Sequence, residues 1–304
     1  MIPHFRGNCK NRSVDFCVQK INAPLTGRDF VKIIAGIPLY PLAFFPKMYY
    51  NRYDKKKERK YTPMKLYVCK NYDEMSAKAA SVVASVITLK PDCVLGLATG
   101  STPVGMYTKL AEMNKAGKLD FAQVKTYNLD EYYPIKASDP QSYRYFMDKN
   151  LFDNINIDKA NNTHLLNGEA ADADAECAAY DKAIEAAGGI DIQVLGIGNN
   201  GHIGFNEPSD PLVGPTHKTG LTESTIEANS RFFASADEVP KHALTMGMAP
   251  IMKARKIIML VSGKGKHAVL REMLSGVITT KNPATLLNLH DDVTVVCDED
   301  AYTG

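Results

Sequence analysis

No two of the six cysteines, Cys9, Cys17, Cys69, Cys93, Cys177 and Cys297, stand in C-x-x-C spacing. They read as buried or free thiols of a reducing cytoplasm rather than as a disulfide framework. The seven histidines form no H-x-x-x-H or H-E-x-x-H pair, so no metal site is expected. A membrane span needs about 20 mostly apolar residues. The most apolar stretch near the N-terminus, 31–45, is shorter and contains Pro38 and Pro41. No span is therefore expected, nor a signal peptide, since no apolar core with a small-residue cleavage site opens the chain. G-x-x-x-x-G-K-[ST], internal repeats and low-complexity segments are also missing.

What remains is 304 residues, 45% of them hydrophobic, with a net charge of +2. That is the composition of a globular chain of one large or two ordinary domains. The small net charge hides a split. Residues 1–63 hold 13 Lys and Arg against 4 Asp and Glu, while residues 64–304 hold 23 against 30. The reading is a basic extension, 1–63, on an acidic body, 64–304. The extension lacks a periodic pattern, and disorder is one expectation for it. Another places the natural start at Met64, with the Lys-Lys-Lys-Glu-Arg-Lys run as read-through of a purine-rich ribosome-binding site. Such a basic run is more often solvated than bound to nucleic acid.

From Met64 the pattern becomes regular. "MKLYVCK" alternates like a strand, and "NYDEMSAKAASVVASVITLK" reads as a helix with an Asn/Asp cap. "DCVLGLATG" reads as a buried strand. "STPVGMYTKLAEMNKAG" reads as an amphipathic helix with Met106, Leu110 and Met113 on one face and a stop at Gly117. "VKTYNLDEY" follows as one strand, "SYRYFMDKNLF" as a helix, "NTHLLNG" as a short strand and "DADAECAAYDKAIEAAGG" as a helix. "IDIQVLG", "ARKIIMLVSG" and "DVTVVCDED" are further strands, with a helix over "KGKHAVLREMLSG". Alternation of strands and helices, several strands being apolar on both faces, predicts an α/β fold. The expected architecture is a doubly wound, mostly parallel sheet with helices on both faces, in a single Rossmann-like domain.

In such sheets ligands sit at the carboxyl ends of the strands. Thr99-Gly100-Ser101-Thr102 precedes a helix and offers hydroxyls and free N–H groups to an anion. The same residues also fit a simple capped helix start. Asp130 and Glu131 could supply a base or be solvated charge. Ser262-Gly263-Lys264-Gly265-Lys266 is a second anion candidate carrying cations. "VLGIGNNGHIGFNEP" contains Gly196-Ile-Gly198-Asn-Asn-Gly201, which satisfies G-x-G-x-x-G, but its surroundings do not suit a dinucleotide. Gly204, Asn206 and Pro208 would stop the required helix, and no strand end carries a ribose-binding acid about 20 residues on. The glycines instead present Asn200, His202 and Glu207 close to a ligand. His202 reads as a proton carrier whose tautomer a carboxylate can set, although a lone histidine is often structural. Two anion cradles, a carboxylate and a His/Glu loop on one edge point to acid–base chemistry on a phosphorylated small molecule.

"LGLATGSTP", "YNLDEYY", "GIGNNGHIGFNEP", "NSRFF" and "VSGKGK" occur in that order, and the body resembles the glucosamine-6-phosphate deaminase (isomerase) family across 64–300. The resemblance implies conversion of glucosamine 6-phosphate and water to fructose 6-phosphate and ammonia, without metal or organic cofactor. It implies Asp130 as the enolising base and His202 as the group that opens the ring, with Glu207 and Asn200 supporting it. It implies phosphate binding by Thr99, Gly100, Ser101 and Thr102, with Arg231 and Lys266. Many relatives carry Asp at the position of Asn200, and Asn cannot ionise. Relatives activated by N-acetylglucosamine 6-phosphate carry basic residues where this chain has His217 and Thr219, and also a longer C-terminal tail. Weak or absent activation is therefore expected. A homo-oligomer remains open, as does a galactosamine 6-phosphate substrate. 6-Phosphogluconolactonase and a non-catalytic sugar-phosphate sensor are further alternatives. "FNEP" and "NLDEY" count against the lactonase, and the absence of a helix-turn-helix in 1–63 counts against the sensor.

Overall fold

The computed structural model describes residues 48–49, 64–222, 226 and 238–304. All fall in the unit Pro46–Gly304. The expected extension 1–63, apart from Met48–Tyr49, lies outside the described residues. Strands are numbered in chain order: β1 (Met48–Tyr49), β2 (Lys65–Cys69), β3 (Val94–Leu97), β4 (Lys125–Asn128), β5 (Asp130–Tyr133), β6 (Thr163–His164), β7 (Ile192–Gly196), β8 (His217–Gly220), β9 (His242–Thr245), β10 (Ile257–Val261) and β11 (Val293–Asp298). Helices α1 (Tyr72–Leu89), α2 (Val104–Lys115), α3 (Tyr143–Asn150), α4 (Lys159–Asn162) and α5 (Ala173–Ala186) fall among them. They are followed by the helices Met248–Met252, His267–Leu274 and Glu299–Thr303.

The main sheet runs β1-β2-β11-β10-β7-β3-β4-β6. Every pair in it is parallel except β1 with β2. β3, β10 and β11 are buried along their whole length. That is what predominantly apolar strands predict when helices cover both faces. The doubly wound, mostly parallel α/β expectation therefore holds. α1 shows the local logic. The Asn71 side chain accepts the Glu74 N–H at 3.0 Å, and Asp73 and Glu74 sit at the positive end of the helix dipole. Met75, Ala79, Ala80, Val83 and Ile87 then form the stripe that packs into the core.

Two elements differ from the sequence pattern. "VKTYNLDEY" is not one strand but two. The chain leaves the main sheet at Leu129, whose N–H bonds Leu97 O of β3 at 2.9 Å while its carbonyl takes the Met246 N–H at 2.7 Å. β5 then pairs antiparallel with β9, and β9 with β8, in a separate three-stranded sheet. Alternation reports that a segment is extended, not which partner it pairs with. Pro103, a residue type that suits a first helical turn, occupies the N-cap position before Val104.

The order of the main sheet fixes where a ligand can bind. β3 leads to β4 on one side, whereas β7 lies on its other flank and leads on to β10. The crevice between the carboxyl ends of β3 and β7 is the topological switch point, the usual ligand position in such sheets.

Candidate active site

The loop after β3 lines one side of the crevice. Tyr107, fully buried on α2, donates to Ala98 O at 2.6 Å and accepts the Ala98 N–H at 3.2 Å. Tyr72 spans the other end, donating to Ser101 O at 2.9 Å and accepting the Gly105 N–H at 2.8 Å. Thr99, Gly100, Ser101 and Thr102 are held between these two hydroxyls, with Gly100 in the left-handed region at φ 97°. The loop opens onto the N-terminus of α2, whose positive dipole end favours an anion, although the Val104 and Gly105 N–H groups already bond Ser101 O and the Tyr72 hydroxyl.

The loop after β7 is not a dinucleotide turn. No helix opens at Gly201; instead Ile203 and Asn206 form an isolated antiparallel bridge. Its polar side chains form a chain of contacts. Asn200 Nδ2 donates to Glu207 Oε2 at 2.6 Å, and Asn200 Oδ1 accepts the His202 N–H at 3.2 Å. His202 Nδ1 stands 3.3 Å from Glu207 Oε1. A single carboxylate thus faces both the imidazole and the amide that braces the loop. A carboxylate so placed can set which ring nitrogen carries the proton, although Nδ1 makes no hydrogen bond among the described residues. The imidazole lies directly over Gly198: a Cβ there would stand 2.4 Å from Nδ1. Only glycine permits that approach.

Asp130 opens β5 at the same edge. It is 6% exposed, and its carboxylate makes no hydrogen bond or ion pair among the described residues. Burial, assisted by the neighbouring Glu131, pushes it up to about 8. A dry, unpaired carboxylate is a strong base when ionised. A Cβ on Gly204 would come within 3.4 Å of Asp130 Oδ2. The folding of β5 onto β9 therefore brings Asp130 against the loop that carries His202. Glu131 points elsewhere. It accepts the N–H groups of Tyr132, Tyr143 and Arg144 at 2.8–2.9 Å and caps α3. Burial raises it to about 7 against the pull of these donors.

Lys266 follows β10, which is separated from β3 only by β7. Two strand spacings, about 10 Å, separate the two anion loops. The Lys266 ammonium is half-buried and held below its ordinary range by burial, and no carboxylate pairs with it among the described residues. Its loop is anchored by Asp298 at the end of β11. This buried carboxylate accepts from Ser262 Oγ, from the Gly263 N–H at 3.0 Å and from the Ala301 N–H at 2.8 Å. Arg231 lies outside the described residues. Asp130, Asn200, His202, Glu207, the 99–102 loop and Lys266 thus share one edge of the sheet. Motif reading missed the supports Tyr72, Tyr107, Thr245 and Asp298, because nothing in their local pattern marks which loop they touch. No group of three or more His, Cys, Asp or Glu that could hold a metal ion occurs among the described residues.

Comparison with known proteins identifies the family and the fold. The family model of glucosamine-6-phosphate isomerases and 6-phosphogluconolactonases matches residues 70–296. A glucosamine-6-phosphate deaminase of Clostridium beijerinckii is 57% identical over 237 residues, covering 78% of this chain and 98% of the relative. One of Halothermothrix orenii is 55% identical over 238 residues, with the same two coverages. The solved structure of a monomeric glucosamine-6-phosphate deaminase superposes with a TM-score of 0.77 at 44% identity, covering 79% of this chain and 99% of that one. The 6-phosphogluconolactonase of Trypanosoma brucei, at 18% identity and a TM-score of 0.61 over 80% of this chain and 98% of its own, shares the fold.

Proposed function

We propose, from a chain that belongs to the family of glucosamine-6-phosphate isomerases and 6-phosphogluconolactonases, that its site converts glucosamine 6-phosphate and water to fructose 6-phosphate and ammonia. The 6-phosphate binds the 99–102 loop and the α2 N-terminus, with Lys266 supplying a point charge and Arg231 a forked one. The closed pyranose has no carbonyl to acidify C2. His202, oriented by Glu207 and Asn200, therefore first moves a proton between the anomeric hydroxyl and the ring oxygen, which frees the C1 aldehyde. Asp130 then takes the C2 proton, leaving an enolamine, and returns it to C1. The C2 iminium so formed adds water at C2 and expels ammonia. Each positioned proton transfer contributes typically about 10²–10⁴-fold.

The observation that carries this reading is the buried, unpaired carboxylate of Asp130 held against the His202 loop. Lactone hydrolysis needs no enolising base at that point. The four described cysteines, Cys69, Cys93, Cys177 and Cys297, are free and buried. This supports a reducing cytoplasm as the setting, and no helix among the described residues is long and apolar enough to cross a membrane. The test is ammonia and fructose 6-phosphate production by the full chain from glucosamine 6-phosphate, with galactosamine 6-phosphate and 6-phosphogluconolactone in parallel. Turnover of the first substrate, and none of the lactone, is expected. Acid release from the lactone without ammonia from either amino sugar would overturn the reading.

A further inference from the structure

Asp130 poses a positioning problem. Its carboxylate has no hydrogen-bond partner among the described residues, so its place depends on its backbone and the packing around it. That backbone belongs to β5, whose one sheet neighbour is β9, with Asp130 opposite Thr245. Thr245 is fully buried, and its Oγ1 accepts the Phe205 N–H at 3.1 Å. One residue further on, Met246 O takes the Asn206 Nδ2 at 2.8 Å, while the same Nδ2 reaches Ile203 O at 2.9 Å. Both bonds run from β9 to the loop that carries His202 and Glu207. They meet at Gly204, where an added Cβ would stand 3.0 Å from Thr245 Oγ1, 3.4 Å from Asp130 Oδ2 and 3.7 Å from Asn206 Nδ2. Phe205 continues the seam, with its ring 6.0 Å from Tyr132 of β5 and 6.1 Å from Tyr143.

We infer that Thr245 and Asn206 are positioning residues that hold the enolising carboxylate of Asp130 in register with the His202–Glu207 couple. β9 serves as the common rail for both. The arrangement solves a chemical conflict. A hydrogen bond donated directly to Asp130 would fix it in place but lower its basicity. Fixing its strand and the facing loop to the same third strand places the base without touching its oxygens. The two proton-transfer groups act in succession on one bound sugar, so their separation must match the spacing of the ring oxygen and C2. Misplacement by about 1 Å can cost about 100-fold in rate.

This inference rests on the deaminase reading, and its test separates the two. Thr245→Val, Thr245→Ser and wild-type full-length protein are compared for kcat and KM with glucosamine 6-phosphate, for solvent deuterium entering at C2 and C1, and for thermal midpoint. The Val variant keeps the shape and loses the Phe205 bond. Its kcat and C2 exchange are expected to fall about 10- to 100-fold, with KM within about twofold because the phosphate loop is untouched. Thr245→Ser, which keeps the acceptor, should restore most of the rate. Asn206→Ser, which breaks the Met246 bond instead, should show the same split, and it replaces the Val variant if that protein does not fold. Unchanged kcat in both bond-breaking variants, with an active wild type, would overturn the positioning role alone. So would equal losses in Thr245→Val and Thr245→Ser, since those would track packing and not the bond. An inactive wild type would overturn the deaminase reading and the inference with it.

Discussion

In the proposed mechanism Asp130 is the enolising base, and its burial has two measurable consequences. The carboxyl sits near pH 8 in the fold against an ordinary value of 3.8. Only the ionised form is a base, so kcat/KM should climb with pH and level off above about 8. Glu131 contributes to that elevation after burial. Glu131→Gln should therefore move the acid limb to lower pH, read from a pH–rate profile. Stability moves the other way. Between about pH 4 and pH 8 the unfolded chain loses a proton that the folded one retains, so Asp130 drains stability as pH rises through that window. Asp130→Asn removes the titration. Its thermal midpoint should match wild type near pH 4, exceed it increasingly up to pH 8, and stay ahead by a constant margin beyond. The same variant should lose C2 exchange about 10³-fold or more while still binding substrate. A variant that turns over at the wild-type rate would remove Asp130 as the base.

At the scale of elements, the loops are built so that supports and reactive groups come from different strands. Gly198→Ala would drive a methyl into the His202 ring, which would have to swing away from its place beside Glu207. A fall in kcat of about 100-fold is expected, with KM little changed, in steady-state assays. The Ser262–Lys266 loop instead depends on Asp298. Asp298→Ala strands a hydroxyl and two backbone N–H groups. Each buried donor left unpaired costs about 1–3 kcal/mol. The variant should melt earlier, and KM should rise several-fold as Lys266 loosens, with kcat less affected. A loss confined to kcat would mean that this loop serves chemistry and not phosphate binding. These supports were not legible in the sequence. "HALTMG" and "VCDED" look like ordinary strand ends, and only the sheet order shows which loop each one touches.

At the scale of the molecule, β8 forms the outer edge of the three-stranded sheet, with His217 and Thr219 on it. The family resemblance implies basic residues there in relatives that bind a second sugar phosphate. His217 is instead turned back on Pro215, its Nδ1 2.9 Å from that carbonyl. We expect hyperbolic kinetics unaffected by N-acetylglucosamine 6-phosphate, and sigmoidal curves relieved by that compound would refute this.

The α/β class, the candidate reactive side chains and the unsuitability of G-x-G-x-x-G for a dinucleotide were all readable along the chain. Each depends on local facts: the period of apolar residues, the residues that follow a glycine, and the proton chemistry of Asp, His and Glu. The partition of "VKTYNLDEY" between two sheets was not readable, because an extended segment carries no label for its partner. Tertiary structure alone decided that Leu129 would turn the chain out of the main sheet and pair β5 with β9. That step places Asp130 in a dry position beside Gly204 and raises its proton affinity far above that of an ordinary aspartate. The physical reason is that proton affinity depends on burial and on unmade hydrogen bonds. Both are properties of what surrounds a residue in space, not of its neighbours in sequence.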